Sequence, residues 1–241
     1  MALWMVSKFG SIELKNEWCP ALCSGQKLAS YCLTESGSGS DAASLKTTAV
    51  KKGDNYILNG SKSFISGAGE TDCLVLMART GKEGPGGISC FLLPADIKGI
   101  EYGKKEEKMG WRSQPTRIIS LSDVEIPASC LIGEEGQGFM IAMQGLDGGR
   151  INIATCSIGT AQAALEAAQK YMNEREQFGK KLSDFQALQF KLADMTTELV
   201  AARHFVRLAA SKIDSEHSEA TVYSAMAKRF ATDVGFNVCN E

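Results

Sequence analysis

The chain has 241 residues, of which 44% are hydrophobic and 22% are charged, and its formal net charge at pH 7 is -2. Such a composition belongs to a globular protein with a sizeable core, and the near-neutral charge argues against an electrostatic grip on nucleic acid. No apolar run approaches the roughly 20 residues that a membrane helix needs. The first residues lack the features of a secretory signal, and Glu13 and Glu17 argue against a transit peptide.

The cysteines and histidines predict no metal site. Eight cysteines are scattered from Cys19 to Cys239, and the histidines are His204 and His217. No metal-ligand spacing results, so we interpret the cysteines as reduced residues, mostly in the core.

Residues 28–135 have a sequence pattern typical of β-structure. Short segments rich in β-branched and apolar residues alternate with turn residues, and Gly53-Asp54 is a hairpin signal. Six or more strands without intervening helices suggest a sandwich or barrel. The predicted strand segments are 27–34, 45–52, 55–66, 72–78, 87–94 and 116–127.

After Gly136 the apolar residues recur at helical spacing. One helix is predicted from about Gly138 to Asn173, interrupted by three glycines. A second is predicted to begin at Ser183, as the cap of a capping box whose other member is Gln186. A third begins near residue 218 and runs to the end of the chain. The interrupting glycines are Gly145, Gly148 and Gly149.

Together these elements predict an α+β fold. Residues 1–27 have a mixed helical pattern and are too short to pack alone, 28–135 are interpreted as a β domain, and 136–241 as an antiparallel helical bundle. Because the last predicted helix has no stop signal, we expect the chain to be a piece or a shortened form of a larger protein.

A polar loop follows the first predicted strand, in the segment YCLTESGSGSD (31–41). It offers hydroxyls, and Gly37 and Gly39 are expected to take positive φ values and to let a ligand approach the backbone. The pattern is not the dinucleotide fingerprint. A second loop, NGSKSFISGAG (59–69), carries the aromatic residue Phe64. The residues leave two interpretations open: a ligand site at one side of the β domain, or two ordinary loops.

Three charged residues stand out in the helical half. Asp147 and Arg150 are three positions apart, as in a surface ion pair, but the glycines between them favour close approach of another group. Arg175 lies where the first long helix is predicted to end, and there it either stabilises the helix terminus or binds phosphate.

Five motifs in this order resemble the acyl-CoA dehydrogenases: YCLTESGSGSD, ILNGSKSFISGAG, GEEGQGF, LDGGRINIA and REQFGKKLSDFQALQFKLADM. The resemblance runs from about Trp4 to the end. FISGAGE and GWRSQPTR are most similar to the mitochondrial members that oxidise isobutyryl-CoA to methacrylyl-CoA in valine breakdown. The resemblance implies an N-terminal helical domain, a middle β domain and a four-helix bundle, with FAD between the last two. It implies that residues 1–27 are the remnant of the first domain, 28–135 the middle β domain, and 136–241 a partial C-terminal helical bundle.

The resemblance also implies roles for particular residues. Two flavin segments, residues 31–34 and 64–66, are expected to contact FAD, and Ser66 is expected near the ring nitrogen that receives hydride. Ser40 is expected to touch the CoA part of the substrate or the cofactor. Ser36 replaces a proline that is usual in the family. A substrate-binding turn comes next, and a last group reaches the FAD of a neighbouring subunit, which implies an oligomer, expected to be a tetramer. The first flavin segment is Tyr31, Cys32, Leu33 and Thr34, and the second is Phe64, Ile65 and Ser66. The substrate-binding turn is Asp147, Gly148, Gly149 and Arg150, and the group that reaches the neighbouring subunit's FAD is Arg175, Phe185 and Gln186.

The reaction implied by the resemblance is α,β-dehydrogenation of an acyl-CoA. A carboxylate removes the α-proton, the β-hydrogen leaves as hydride to the flavin, and electrons pass to electron-transfer flavoprotein in the mitochondrial matrix. The glutamate that serves as base in the family lies beyond Glu241, so no catalytic residue is predicted here. The chain as given is expected to be inactive or nearly so.

Three other interpretations stay open at this point. One is an acyl-CoA oxidase-like enzyme that passes electrons to oxygen. Another is a non-catalytic protein that binds flavin or CoA, or that oligomerises with an intact relative. The last is a β domain with helices that binds no ligand.

Overall fold

The structure is a computed structural model that describes all 241 residues. It divides into two compact units, Met1–Gly145 and Leu146–Glu241. The first contains two helices and a mixed β-sheet, and the second is helical apart from one small hairpin. The predicted α+β class is confirmed. None of the helices has the length and apolar character required to cross a lipid bilayer.

The sheet of the first unit has eight strands in the order β6-β7-β3-β2-β4-β5-β8, with β1 beside β4. All six predicted segments contain a strand. The two strands that were missed, β6 and β8, are too short to show alternation in the sequence. The strands are β1 Ala29–Cys32, β2 Thr48–Lys52, β3 Asn55–Ser66, β4 Cys73–Arg79, β5 Ile88–Pro94, β6 Ile100–Tyr102, β7 Thr116–Pro127 and β8 Leu131–Ile132.

Strands β1 and β2 share one edge of β4. Strand β1 runs parallel to β4 with Cys32 opposite Leu76, and β2 meets β4 only where Thr48 lies opposite Arg79. The segment 33–47 between them therefore leaves the sheet at the junction of β1 and β2. The predicted Gly53-Asp54 hairpin is confirmed, because β2 and β3 are antiparallel neighbours.

The two faces of β4 contribute to two hydrophobic clusters. Leu74 and Leu76 pack inside the β-structure, whereas Val75 and Met77 face a cluster that includes residues of two N-terminal helices. These helices are α1 (Ala2–Phe9) and α2 (Ile12–Ser24), and they bury Met5, Val6, Leu14 and Trp18. Because alternate residues of a strand point to opposite faces, the continuous apolar sequence of β4 serves both clusters.

The second unit is built on three helices: α3 (Gly138–Glu174, which begins in the first unit), α4 (Gln186–Asp214) and α5 (Ala220–Asn240). A hairpin of β9 (Glu176–Gln177) and β10 (Lys180–Lys181) separates α3 from α4. The three predicted helices are confirmed. Their shared core consists mainly of alanine and β-branched or leucine side chains: Ala154, Ile158, Ala161, Leu165, Leu199, Ala202, Val206, Ala209, Ala227, Ala231, Val234 and Val238.

Two details of the helix prediction are wrong. Gly145, Gly148 and Gly149 do not interrupt α3, which is continuous because the cost of a helical glycine, about 1 kcal/mol, is small beside the burial on either side. Ser183 does not cap α4, since it lies within a 3-10 turn and α4 begins at Gln186. The amide of Lys181 instead donates to the Asp184 carboxylate, at 3.2 Å, and this bond organises the turn.

The start of α3 lies so close to β5 that only glycine fits at position 138. A Cβ on Gly138 would lie 2.3 Å from the backbone carbon of Ser89. We expect Gly138→Ala to destabilise the protein by about 1 to 3 kcal/mol, because the backbone of a strand or helix must shift.

Gly159→Ala is the matched control, because Gly159 is also in α3 and a Cβ there meets nothing within 4 Å. It should stabilise the protein by about 0.5 to 1 kcal/mol. Thermal unfolding followed by circular dichroism measures both changes. Equal melting temperatures for the two variants would contradict the close packing at Gly138.

Candidate functional site

Two of the predicted flavin segments lie side by side at the ends of β1 and β3. The amide of Ser63 donates to the carbonyl of Thr34, at 2.8 Å, and the hydroxyl of Ser30 donates to the carbonyl of Ser66, at 2.8 Å. Residues 31–34 and 64–66 are therefore held side by side, and these two segments together are here called the strand-end ledge.

Strand β3 bulges at the ledge. Lys62 lies opposite Ile119 of β7 and Ile65 lies opposite Arg117, so β3 carries one extra residue between these pairs. Within the bulge Phe64 has a φ of 56° and its side chain is 67% exposed. An aromatic residue in the left-handed region is strained, and strain of this kind accumulates at functional positions. The bulge thus presents the Phe64 ring to solvent.

The other residues of the ledge differ in their exposure. Thr34 is half-buried and Ser66 is exposed, whereas Cys32 and Leu33 are buried. Burial raises the pKa of Cys32 to about 12, so its thiol is neutral at physiological pH. The hydroxyl of Tyr31 is buried without a hydrogen-bond partner, and burial raises its pKa as well. The ledge therefore offers neutral polar groups and one exposed aromatic ring, that of Phe64.

A buried ion pair lies directly beneath the ledge. Lys62 is fully buried, and its ammonium donates to the Glu35 carboxylate, at 2.8 Å, and to the carbonyl of Leu33, at 3.1 Å. The same carboxylate accepts from the amides of Lys46, at 2.7 Å, and Thr47, at 3.0 Å. Burial alone raises the pKa of Glu35, but the ammonium of Lys62 and these hydrogen bonds outweigh it and hold that pKa below its ordinary value.

The glycines of the first loop do not behave as expected. Neither Gly37 nor Gly39 has a positive φ, and a Cβ on either would meet nothing within 4 Å. The turn around Gly37 is closed without left-handed residues by two backbone hydrogen bonds between Glu35 and Ser38, at 3.0 and 3.1 Å, and the buried Ser38 hydroxyl donates to the carbonyl of Asp41, at 2.7 Å. Ser40, the residue predicted to touch CoA, is exposed in the same loop.

The residues expected to form a substrate-binding turn lie within α3 instead. Arg150 donates to one oxygen of the Asp147 carboxylate, at 2.5 Å, and the hydroxyl of Thr221 on α5 donates to the other, at 2.7 Å. Helical i,i+3 spacing brings the ion pair together, and Gly148 and Gly149 lie between its members in the helix. The Asp147 carboxylate is thus held in one orientation by groups from two helices.

The predicted phosphate-binding residues lie around the β9–β10 hairpin. Arg175 is exposed immediately after α3, and its carbonyl accepts from the amide of Leu182, at 2.9 Å, which closes the hairpin. The ammonium of Lys180 lies 4.2 Å from the ring centroid of Phe185, and Gln186 begins α4. The three predicted residues therefore occur in one local, exposed and partly cationic segment of the second unit.

Lys62, Glu35 and Thr221 were not identified as site residues from the sequence. The one available signal for Lys62 was its position in the middle of a strand-like segment. Because lysine is almost never buried unless it is paired, a buried lysine there would have predicted a charged partner. No local pattern links it to Glu35, which is 27 positions away, or links Thr221 to Asp147, which is 74 positions away.

Comparison with known sequences identifies the family. The acyl-CoA dehydrogenase middle domain matches residues 30–124, and the acyl-CoA dehydrogenase C-terminal domain matches residues 136–241. The chain belongs to the acyl-CoA dehydrogenase family.

Particular relatives are similar over the whole chain. The mitochondrial isobutyryl-CoA dehydrogenases of Bos taurus and Dictyostelium discoideum are 53% and 52% identical to it. The butyryl-CoA dehydrogenase of Megasphaera elsdenii matches its structure with a TM-score of 0.94 at 44% identity, over 98% of this chain and 62% of that one. The chain spans 58% of the length of the bovine and Dictyostelium relatives.

The depressed pKa of Glu35 predicts a loss of stability in acid. Because the folded carboxylate binds a proton less readily than the unfolded one, its stabilisation is present above the ordinary pKa of 4.5 and is lost as the pH falls through the lower folded value. We expect the urea midpoint of the wild type to fall steeply from pH 5 to pH 3, and that of Glu35→Gln to fall less.

The control for this experiment is Glu107→Gln, because the Glu107 side chain is 89% exposed. It should retain the wild-type dependence on pH. At pH 7 Glu35→Gln should also cost about 3 kcal/mol of stability, since Lys62 loses its counter-charge. Parallel pH profiles for the wild type and Glu35→Gln would show that the ion pair does not contribute to acid unfolding.

Proposed function

We propose that this protein acts in the FAD-dependent α,β-dehydrogenation of a short branched acyl-CoA, with isobutyryl-CoA as the substrate and methacrylyl-CoA as the product. Family membership and the 53% identity to the bovine isobutyryl-CoA dehydrogenase support the reaction and the substrate class. The proposal extends to electron-transfer flavoprotein as the electron acceptor, to a homotetramer, and to the mitochondrial matrix as the location.

The strand-end ledge carries this proposal, because its chemistry fits a flavin. A flavin ring is planar, with apolar faces and polar edges. The ledge combines the exposed Phe64 ring with backbone groups and with the hydroxyls of Thr34 and Ser66. FAD, when bound, supplies the two-electron oxidation of the substrate's α,β carbon–carbon bond.

The residues of the ledge would orient the cofactor. We assign the Thr34 and Ser66 hydroxyls to hydrogen bonds with the ring edge, and the Phe64 ring to covering a face of the ring. Tyr31, Cys32, Leu33 and Ile65 complete these segments, and the neutral Cys32 thiol adds no charge beside the ring. A fixed ledge lowers the entropic cost of orienting the reacting atoms.

The remaining predicted residues bind the ends of the ligands. Ser40 is assigned to the CoA part of the substrate or the cofactor, and the Asp147–Arg150 helix segment, with Gly148 and Gly149, to the substrate. Arg175, Phe185 and Gln186 are assigned to FAD of a neighbouring subunit, where a guanidinium can bind phosphate in a bidentate manner. No residue of this chain is assigned as the base. The expectation that the 241-residue chain does not turn over substrate stays a prediction.

The first test is a visible absorption spectrum of the purified chain after incubation with FAD and removal of free cofactor. We expect a structured flavin band to persist, because the ledge is fixed by contacts within the first unit. Isobutyryl-CoA should perturb this band at lower concentration than octanoyl-CoA, without bleaching it. A folded chain that retains no flavin would contradict the proposed cofactor site, and peroxide formation on turnover would indicate an oxidase.

Phe64 offers a sharper test, because its strain and its proposed function are separable. Phe64→Gly should raise stability by about 1 kcal/mol, since glycine accepts the left-handed φ without penalty. The same change should raise the Kd for FAD at least tenfold, because the covering ring is lost. Thermal unfolding and fluorescence titration measure the two effects.

Trp111 provides the matched control, with a φ of 54° and a side chain that is 60% exposed. Trp111→Gly should give a similar gain in stability and leave the Kd for FAD unchanged. Equal losses of FAD affinity in the two variants would remove Phe64 from the cofactor site.

A further inference from the structure

Lys62 and its neighbour Ser63 connect three consecutive residues, 33–35, to strand β3. Lys62 binds the carbonyl of Leu33 and the carboxylate of Glu35, while the neighbouring amide of Ser63 binds the carbonyl of Thr34. The end of β1 is thereby fastened to β3 immediately before the bulge at Phe64. A shift of Lys62 would move both halves of the strand-end ledge relative to each other.

The same carboxylate closes the polar loop at its far end. Glu35 accepts from the amides of Lys46 and Thr47, so the first and last residues of the loop 35–47 meet at one side chain. Gly60 on β3 permits this closure, because a Cβ there would lie 2.7 Å from the Cα of Thr47. Ser40, which is proposed to touch CoA, belongs to the loop that is closed in this way.

Net stability does not explain such a pair. Removing two charges from water is costly, and replacing a buried ion pair with apolar residues of similar volume is often neutral or stabilising. Apolar residues make no hydrogen bonds, so they could not hold the carbonyl of Leu33 or the amides of Lys46 and Thr47 at fixed positions. The pair binds backbone groups at both ends of the loop: Lys62 holds the Leu33 carbonyl of the ledge, and Glu35 holds the amides of Lys46 and Thr47.

We propose that Glu35 and Lys62 are positioning residues, which set the separation of Thr34 from Phe64–Ser66 and hold the loop that carries Ser40. This inference rests on the proposed function, because the ledge is assigned there to FAD. Neither residue is assigned a contact with cofactor or substrate. They act through the backbone groups that they bind.

The principal test is the double variant Glu35→Gln/Lys62→Met, which removes both charges and leaves no unpaired buried ion. We expect its melting temperature to remain near that of the wild type, while the Kd for FAD rises at least tenfold and the visible band of the residual bound flavin loses structure. If the ion pair contributed only to stability, its replacement would leave the Kd for FAD and the flavin spectrum unchanged. A folded double variant with wild-type FAD affinity and spectrum would overturn the proposal.

Glu35→Asp serves where the double variant does not fold. It keeps the charge pair but shortens the side chain by one methylene, so the carboxylate cannot reach Lys62 and both amides together. We expect a threefold or greater rise in the Kd for FAD in a folded protein, and an unchanged Kd would again overturn the proposal. Tyr56→Phe is the control at the opposite end of β3, where the Tyr56 hydroxyl donates to Glu135. It should leave the flavin readouts unchanged.

Hydrogen exchange separates this inference from the proposed function. The amide of Ser63 should exchange at least tenfold faster in the flavin-free double variant than in the wild type, and at the wild-type rate in Tyr56→Phe. A wild type that binds no FAD would refute the proposed cofactor, while faster exchange at Ser63 would still establish the positioning effect. Unchanged exchange at Ser63 would refute the positioning effect, whatever the outcome with FAD.

Discussion

The fully buried ammonium group of Lys62 constrains the first unit, because its charge must be satisfied by polar groups within the protein. Lys62 finds a carboxylate and a carbonyl, and both belong to the chain that leaves β1. Since β1 and β2 occupy the same edge of β4, that chain must leave the sheet and return to it. The carboxylate of Glu35 determines where it does so, through the amides of Lys46 and Thr47.

The bulge in β3 is the second constraint, and it begins directly after Lys62. Lys62 points inward and is buried, whereas two residues later Phe64 is exposed in a left-handed conformation. A regular strand would place both side chains on the same face, because residues i and i+2 point alike. The extra residue of the bulge breaks this alternation and presents an aromatic ring beside polar groups. The strain is local and is offset by the buried residues around it, such as Ile65.

The second unit satisfies its polar groups by a different route. Its core is formed of alanine, leucine and β-branched side chains along three helices, and the charged residues Asp147 and Arg175 lie outside that core. Asp147 is fixed by one partner in its own helix and one from α5. Arg175 is left exposed where α3 gives way to the hairpin. Each unit thus combines a well-packed apolar core with a small set of oriented polar groups.

The sequence by itself determined the fold class, the six longer strands and the three long helices, because these depend on local periodicity and turn residues. Its motifs also identified the family. Only the tertiary structure decided which residues meet across long separations: Lys62 with Glu35, and Thr221 with Asp147. It also decided the continuity of α3 through its glycines and the left-handed φ of Phe64. Local propensities differ by about 1 kcal/mol or less per residue, so burial and the satisfaction of a buried charge override them.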